Sequence, residues 1–404
     1  MAEAKYCKLV MVTGENNNKF YEMTYSGTGG TFTATYGRIE MSSKSIQKSL
    51  GDWEKLKKSK EKKGYKDVTH LASVVEKEES TGKVIIKKID DKIVNDFLVK
   101  MKNYTDGLVS KTYSVKSTSV SQAQVDEAQS ILDKLAKIKK TTSDKDVNTM
   151  LLELYTIIPR YMSHVPSYLM PNIKSRLDKH IIQEQDNLDA MAGQVAANQK
   201  AADKLKGKKK DEVIETTLLD QMGITMSKCD GIPSDIKYIT DQLNGNKVQG
   251  IYEISKGTEE ARFDKWMGKQ SNKETRHLIH GTRCSSVIPI LDTSLQIRPA
   301  GNFQFSGKAY GNGNYFSEKT IKSLGYTGYD DDQVLLVYEV HTGNPFVYSG
   351  WYQGNSFTLS YKELSKRGFD STHVAAGNGL LNSEIIAYKE EQCRIKYAIW
   401  LKRR

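Results

Sequence analysis

The apolar residues of this chain change their spacing twice, so no single layer of secondary structure can bury them all. Up to about residue 75, "KLVMVT", "KFYEMTYS" and "TFTATYGRIE" alternate or are rich in β-branched and aromatic residues, as strands are. "GENNN" and "SGTGG" between them carry the Gly and Asn that tolerate positive φ in turns. The helical period then takes over. Val94, Leu98 and Met101 share one face. Ser121 and Gln124 form a capping-box pattern ahead of Val125, Ala128, Leu132 and Leu135. Val147, Leu151, Leu154 and Ile158 continue the period until Pro159 stops it, and Ile173, Leu177, Ile181, Leu188 and Met191 mark a longer helix. Beyond residue 231 short β-rich runs return: "QGIYEIS", "RHLIHGT", "NGNYFS", "QVLLVYEVHTG", "STHVAAG", "EIIAYK" and "IKYAIWLK".

These shifts predict a multidomain α+β chain of three segments. Residues 1–80 are mostly β, 86–228 form an all-α bundle, and 231–404 are α+β. A length of 404 residues suits two or three domains. Within the first segment a lysine-rich helix is predicted from Ser43 to Lys63, followed by a short closing strand in "GYKDV" and a polar linker, "VEKEESTGK". Within the third, helices are predicted over Ser285–Leu291 and Glu318–Tyr326. In the bundle, His164 and His180 are predicted to lie on the surface.

Composition removes several function classes. The N-terminus, "MAEAKYCKLV", is polar and lacks the pattern of a secretory signal. The longest apolar run, "VLLVYEV", is strand-length and cannot span a bilayer. An intracellular chain is expected. Cys7, Cys229, Cys284 and Cys393 form no C-x-x-C pair, so neither a zinc site nor a disulfide framework is predicted. The net charge is +11, with seven lysines against two glutamates over residues 53–66 and a second cluster, "KLKGKKK", at 204–210. Such runs point to a polyanion partner, nucleic acid first, and equally to the ordinary reading of a solvated lysine-rich face.

Three polar residues of the last segment fall at predicted strands in apolar surroundings: His280 in "LIHGTR", Tyr315 in "GNYFS" and Glu384 in "LNSEIIAY". Burying a glutamate there is costly unless it has a partner or a task. Between them, "GNGNYFSEKTIKSLGYTGY" packs Gly311, Gly313, Tyr315, Ser323 and Tyr326 into one run, without a phosphate-binding lysine motif.

"HGT", "GNGNYFSEKTIKSLGY" and "LLNSEIIAY", in register over about 105 residues, resemble the His-Tyr-Glu signature of the poly(ADP-ribose) polymerase family. "LLELYTIIPRY" resembles that family's regulatory helical domain, and "TYGRI" its WGR domain. The order is that of the short DNA-dependent members, which lack zinc fingers. The resemblance implies NAD⁺ as the substrate, cleaved between nicotinamide and ribose, with no metal. It implies His280, Tyr315 and Glu384 as the catalytic triad. The nicotinamide amide would be held by Gly281, next to Thr282, and by Ser323. Tyr326 would stack on nicotinamide, Tyr315 would line the opposite wall, and His280 would bind the adenine-side ribose. Gln296 stands where the family has its adenosine-side arginine, and Arg298, two residues on, is the candidate that would take that role. Tyr36, Gly37 and Arg38 would contact DNA, with Tyr36 in the family's tryptophan position. Ile279 and Asn312 are further departures.

The function expected from this resemblance is DNA-break-dependent transfer of ADP-ribose to proteins, the chain itself included, in the DNA damage response. The alternative is an inactive DNA-end-binding scaffold on the same fold. A monomer when free, and a nuclear location in a eukaryote, are expected with the first reading. A fragment over 231–404 is expected to act without DNA.

Overall fold

Alternation in the N-terminal segment produces a five-stranded antiparallel sheet from β1 (Lys5–Thr13), β2 (Asn17–Tyr25), β3 (Thr31–Arg38), β4 (Lys44–Ser49) and β5 (Lys66–Asp67). Its order is β4-β3-β2-β1-β5. The computed structural model describes residues 3–69, 82–138, 141–206, 208, 212–243, 245–298, 310–348, 360–377 and 380–403. Cys7 and Leu9, then Tyr21, Met23 and Tyr25, then Phe32 and Ala34 point to one face, two residues apart in each strand. Helix α1 (Trp53–Lys62) covers that face, with Trp53 edge-on to Phe32 at 4.9 Å. The helix predicted from Ser43 therefore begins only at Trp53. Residues 44–49 instead pair with β3 as an exposed edge strand, and the lysines and serines that fill them carry no apolar period to distinguish the two.

Next come β6 (Gly82–Ile86) and α2 (Lys92–Thr112). Asp91 Oδ1 accepts the backbone N–H groups of Ile93 and Val94 and so starts the helix. Then follow α3 (Gln122–Leu135), α4 (Asp144–Ile157) and α5 (Leu177–Leu205). The Ser121/Gln124 capping box is formed, Ser143 caps α4, and every apolar position predicted to face inward on α3 and α4 is buried.

The chain divides into two compact units, Met1–Lys83 with Leu108–Glu212, and Val84–Gly107 with Val213–Arg404. Helix α2 thus contributes its residues up to Gly107 to the second unit. Its fully buried Val94, Phe97, Leu98 and Met101 belong to a core shared with Leu278, Phe316, Val334 and Leu336. Asp332 accepts the Tyr104 hydroxyl at 2.8 Å and the Trp400 indole N–H at 3.0 Å, adding a polar anchor for the helix.

Residues 212–228, predicted as the end of the helical bundle, form β7 (Glu212–Thr216), the short α6 (Leu218–Met222) and β8 (Ile224–Lys228). After them come α7 (Lys237–Thr240), β9 (Lys247–Lys256), α8 (Gly257–Met267), β10 (Thr275–Thr282), α9 (Cys284–Thr293), β11 (Asn314–Phe316), α10 (Thr320–Leu324), β12 (Asp332–His341), β13 (Pro345–Tyr348), α11 (Tyr361–Lys366), β14 (Ser371–Val374), β15 (Glu384–Ala387) and β16 (Cys393–Lys402). Two sheets carry this unit, β10-β12-β16-β9-β8 and β11-β15-β14-β13. All their pairings are antiparallel except β13 with β14. β12 is apolar on both faces. Val334, Leu336, Tyr338 and Val340 enter the core that includes α2, while Leu335 and Val337 enter a second core with Ile239, Ile251 and Ile399.

His180 is partly buried, its side chain only 11% exposed, where a surface position was predicted. Its Nε2 meets the Tyr155 hydroxyl at 2.7 Å, within reach of an Arg160–Glu184 ion pair. His164 is exposed. All four cysteines are free thiols. Among the described residues no helix is long and apolar enough to cross a membrane.

Candidate active site

Three strand ends of the second unit converge. β10 ends in His280, Gly281 and Thr282, β11 carries Tyr315, and β15 begins with Glu384. Tyr315 pairs with Ile386 across β11 and β15. Just beyond β11, Ser317 makes both backbone hydrogen bonds of a bridge with Ile279, joining the two sheets beside His280. His280 Nδ1 lies 3.1 Å from the Tyr315 carbonyl oxygen. A carbonyl only accepts, so Nδ1 carries the hydrogen and Nε2 is left as an acceptor. Burial lowers the His280 pKa, partly offset by that hydrogen bond, and keeps the ring neutral.

The glycines that open the run fix its backbone rather than cradle an anion. Gly311 has φ of +102°, and a Cβ on Gly313 would lie 2.6 Å from the Ile386 side chain. The Tyr315 hydroxyl donates to the Gly311 carbonyl at 2.7 Å and accepts the Tyr310 N–H at 2.9 Å. That loop holds the ring in place. Burial raises the Tyr315 pKa well above the ordinary tyrosine value, so it stays a neutral phenol.

The helix predicted over 318–326 is the shorter α10, ending at Leu324. Ser323 is buried on it, and its hydroxyl donates to the Ile279 carbonyl through a long bond of 3.3 Å. A Cβ on Gly281 would lie 1.9 Å from the Ser323 backbone oxygen, so α10 packs directly on the β10 backbone there. Tyr326 follows the helix and exposes 45% of its surface. Partial burial and then Glu384 push its pKa up to about 12.

Glu384 is only 5% exposed. Lys322, also on α10, meets its Oε1 at 2.8 Å, which gives the buried carboxylate an oppositely charged partner. Lys322 is the functional residue that sequence reasoning missed. It stands beside Ser323, but no spacing rule links it to residue 384; only the folding of β15 against α10 does.

Arg298 lies half-buried in the extended segment after α9, next to Ile297, whose N–H donates to Glu390 at 2.9 Å. Among the described residues no hydrogen bond or ion pair joins Arg298 to His280, Tyr315 or Glu384, and its neighbours 299–309 fall outside the described residues. Thr282 is buried and pairs with Val334. Among the described residues no group of His, Cys, Asp and Glu could hold a metal ion.

The other predicted site lies in the first unit. Tyr36 stacks on Tyr21 at 5.6 Å and is half-buried. A Cβ on Gly37 would lie 3.3 Å from backbone atoms of both Ser42 and Ser43. The Arg38 guanidinium reaches four acceptors of its own chain: the Asn16 carbonyl at 2.6 Å, Asn16 Oδ1 at 3.1 Å, and the Met162 and Ser163 carbonyls at 3.0 Å.

The family profile described as the poly(ADP-ribose) polymerase catalytic domain matches residues 235–403. A protein of Invertebrate iridescent virus 6, provisionally named poly(ADP-ribose) polymerase-like 100L, is 56% identical over 168 residues, which are 41% of this chain and 93% of that protein. Uncharacterized protein 101L of the same virus is 45% identical over 194 residues, covering 48% of this chain and 79% of that protein.

Proposed function

This chain belongs to the poly(ADP-ribose) polymerase family, and on that premise we propose that it is an NAD⁺-dependent ADP-ribosyltransferase acting on proteins, itself included. The observation that supports this most is the buried Glu384 carboxylate, paired with Lys322 beside the strand ends that bear His280 and Tyr315.

Cleavage of the nicotinamide–ribose bond leaves positive charge on the ribose, as glycoside cleavage does. Nicotinamide departs with the bonding electron pair. A lone pair of the acceptor side chain then forms the new bond to the ribose carbon, and its proton is released. A fixed carboxylate stabilises the charge in the transition state more than in the ground state. The Lys322 ammonium, 2.8 Å from Glu384 Oε1, gives that buried carboxylate its charge partner. Neutral His280 offers Nε2 as an acceptor for a ribose hydroxyl. Tyr326 and Tyr315, both phenols at neutral pH, would flank the nicotinamide ring. The long Ser323 bond to Ile279 is one that an amide ligand can replace.

Dependence on DNA breaks is part of the same proposal, supported by the net charge of +11 and its lysine clusters. Nicotinamide release from labelled NAD⁺, with and without nicked duplex, tests both statements. Glu384→Gln keeps the shape and removes the charge. It should leave NAD⁺ binding intact while transfer falls about 100- to 1,000-fold, the usual cost of losing one transition-state electrostatic partner. Retained transfer would strike Glu384 from its role.

A further inference from the structure

The residues expected from sequence to touch DNA are the ones this fold has already used. Arg38 spends its guanidinium on four oxygens of its own chain, pinning the β1–β2 turn to residues 162–163. Tyr36 is layered against Tyr21, and Lys60 lies over both rings, 4.0 Å from the first centroid and 5.8 Å from the second. An arginine bonded in this way has little left for a phosphate, and a half-buried ring beneath a lysine is not an open stacking surface.

Helix α1 is different. Trp53, Leu56 and Lys60 face the sheet. Lys57 turns to Asp67, 2.5 Å away. At 100° per residue, the direction opposite this buried face belongs to Lys55, Lys58 and Lys62, spaced three and four apart. All three are exposed. Among the described ion pairs none involves them, although Glu54 and Glu61 lie on the same helix. Three lysines aligned in this way repel one another and cost helix stability unless a negative partner covers them. The row spans about 10 Å from first to last, the axial length of about three phosphates on one strand of a duplex.

We propose that the outer face of α1, through Lys55, Lys58 and Lys62, is the surface on which this protein docks a nucleic-acid backbone, and that Tyr36, Gly37 and Arg38 hold the fold beneath it. This rests on the reading that DNA is a partner. The lysines pair with phosphates, so docking is independent of base sequence and strongly salt-dependent.

The test uses the full chain and a fluorescein-labelled nicked duplex, with anisotropy measured over a series of salt concentrations. The triple variant Lys55→Gln, Lys58→Gln, Lys62→Gln should bind at least about 10-fold more weakly at low salt. Its slope of log affinity against log salt should be shallower by about 2 to 3, close to 0.9 for each phosphate that is no longer neutralised. Its melting temperature should equal or slightly exceed the parent's, since like-charge repulsion is relieved, and its DNA-free nicotinamide release should match the parent, because the three side chains are solvent-facing. Arg38→Lys should show the converse, a lower melting temperature with an unchanged salt slope. If the parent binds with a steep slope and the triple variant is indistinguishable from it, the α1 surface is wrong while the DNA reading stands. If the parent shows no salt-dependent binding, the DNA reading fails and this surface fails with it.

Discussion

A methyl group on Gly281 would meet the Ser323 carbonyl oxygen at 1.9 Å, a distance no non-bonded pair tolerates, so β10 and α10 can approach only through a glycine. Gly281→Ala must push them apart. The expected result is a loss of about 1–3 kcal/mol of stability, typical of overpacking, together with a much larger fall in nicotinamide release, since Ser323, Lys322 and Tyr326 all move with α10. Melting temperature and initial rate, measured together, check it. A variant with parental rate would show that the wall formed by α10 is not rigid. The sequence makes His280, Tyr315 and Glu384 conspicuous, because polar residues at strand ends in apolar runs are costly. It does not make the crowding at Gly281 visible, because the atom that excludes a side chain belongs to a residue distant in the chain. Lys322 escaped for the same reason.

Elements were legible to the extent that their apolar period was. The Ser121 capping box and the buried rows of α3 and α4 need only local rules, and both formed. The lysine-rich stretch before Trp53 has no such period, and pairing with the free edge of β3 decided its fate. His180 shows what a periodic pattern cannot say about a polar side chain. It lies between α4 and α5, bonded to the Tyr155 hydroxyl and beside Glu184, which pairs with Arg160. Burial lowers its pKa below the ordinary 6.5, and Glu184 only partly opposes this. The folded unit therefore binds this proton less readily than the unfolded chain does. Stability from this site is fully present above the unfolded pKa of about 6.5 and is lost as pH falls below it, by up to about 1.4 kcal/mol per pH unit. Denaturant midpoints between pH 7 and pH 5 should drop for the parent. The drop should shrink for His180→Gln, which removes the titration. Parallel curves for the two would remove His180 as the cause.

For the whole molecule, the sequence suggests that residues 231–404 suffice for catalysis, and the structure changes that expectation. The second unit includes α2 up to Gly107 and the strand β8, and its main core holds Phe97, Leu98, Met101 and Met226. Helical periodicity shows that α2 has a buried face but not what buries it. A fragment starting at residue 231 would leave that core open, and should be insoluble or molten. A chain joining residues 84–107 to 213–404 by a short flexible linker should fold, with a cooperative melt and protected amides in β12 and β16. Should the 231–404 fragment prove folded and the joined chain not, α2 is dispensable to this unit.

β16, the last strand in chain order among the described residues, lies in the middle of its sheet, between β12 and β9. During synthesis, the sheet that carries β10 and its His280 cannot close until residues 393–402 leave the ribosome, while every residue of the first unit has already been made by residue 212. Through that interval the apolar face of α2 waits without its partners. The unit bearing the candidate active site is thus the later to mature, its burden on chaperones should exceed that of its neighbour, and a stop codon just before β16 should yield a chain whose first unit is sound and whose second never forms.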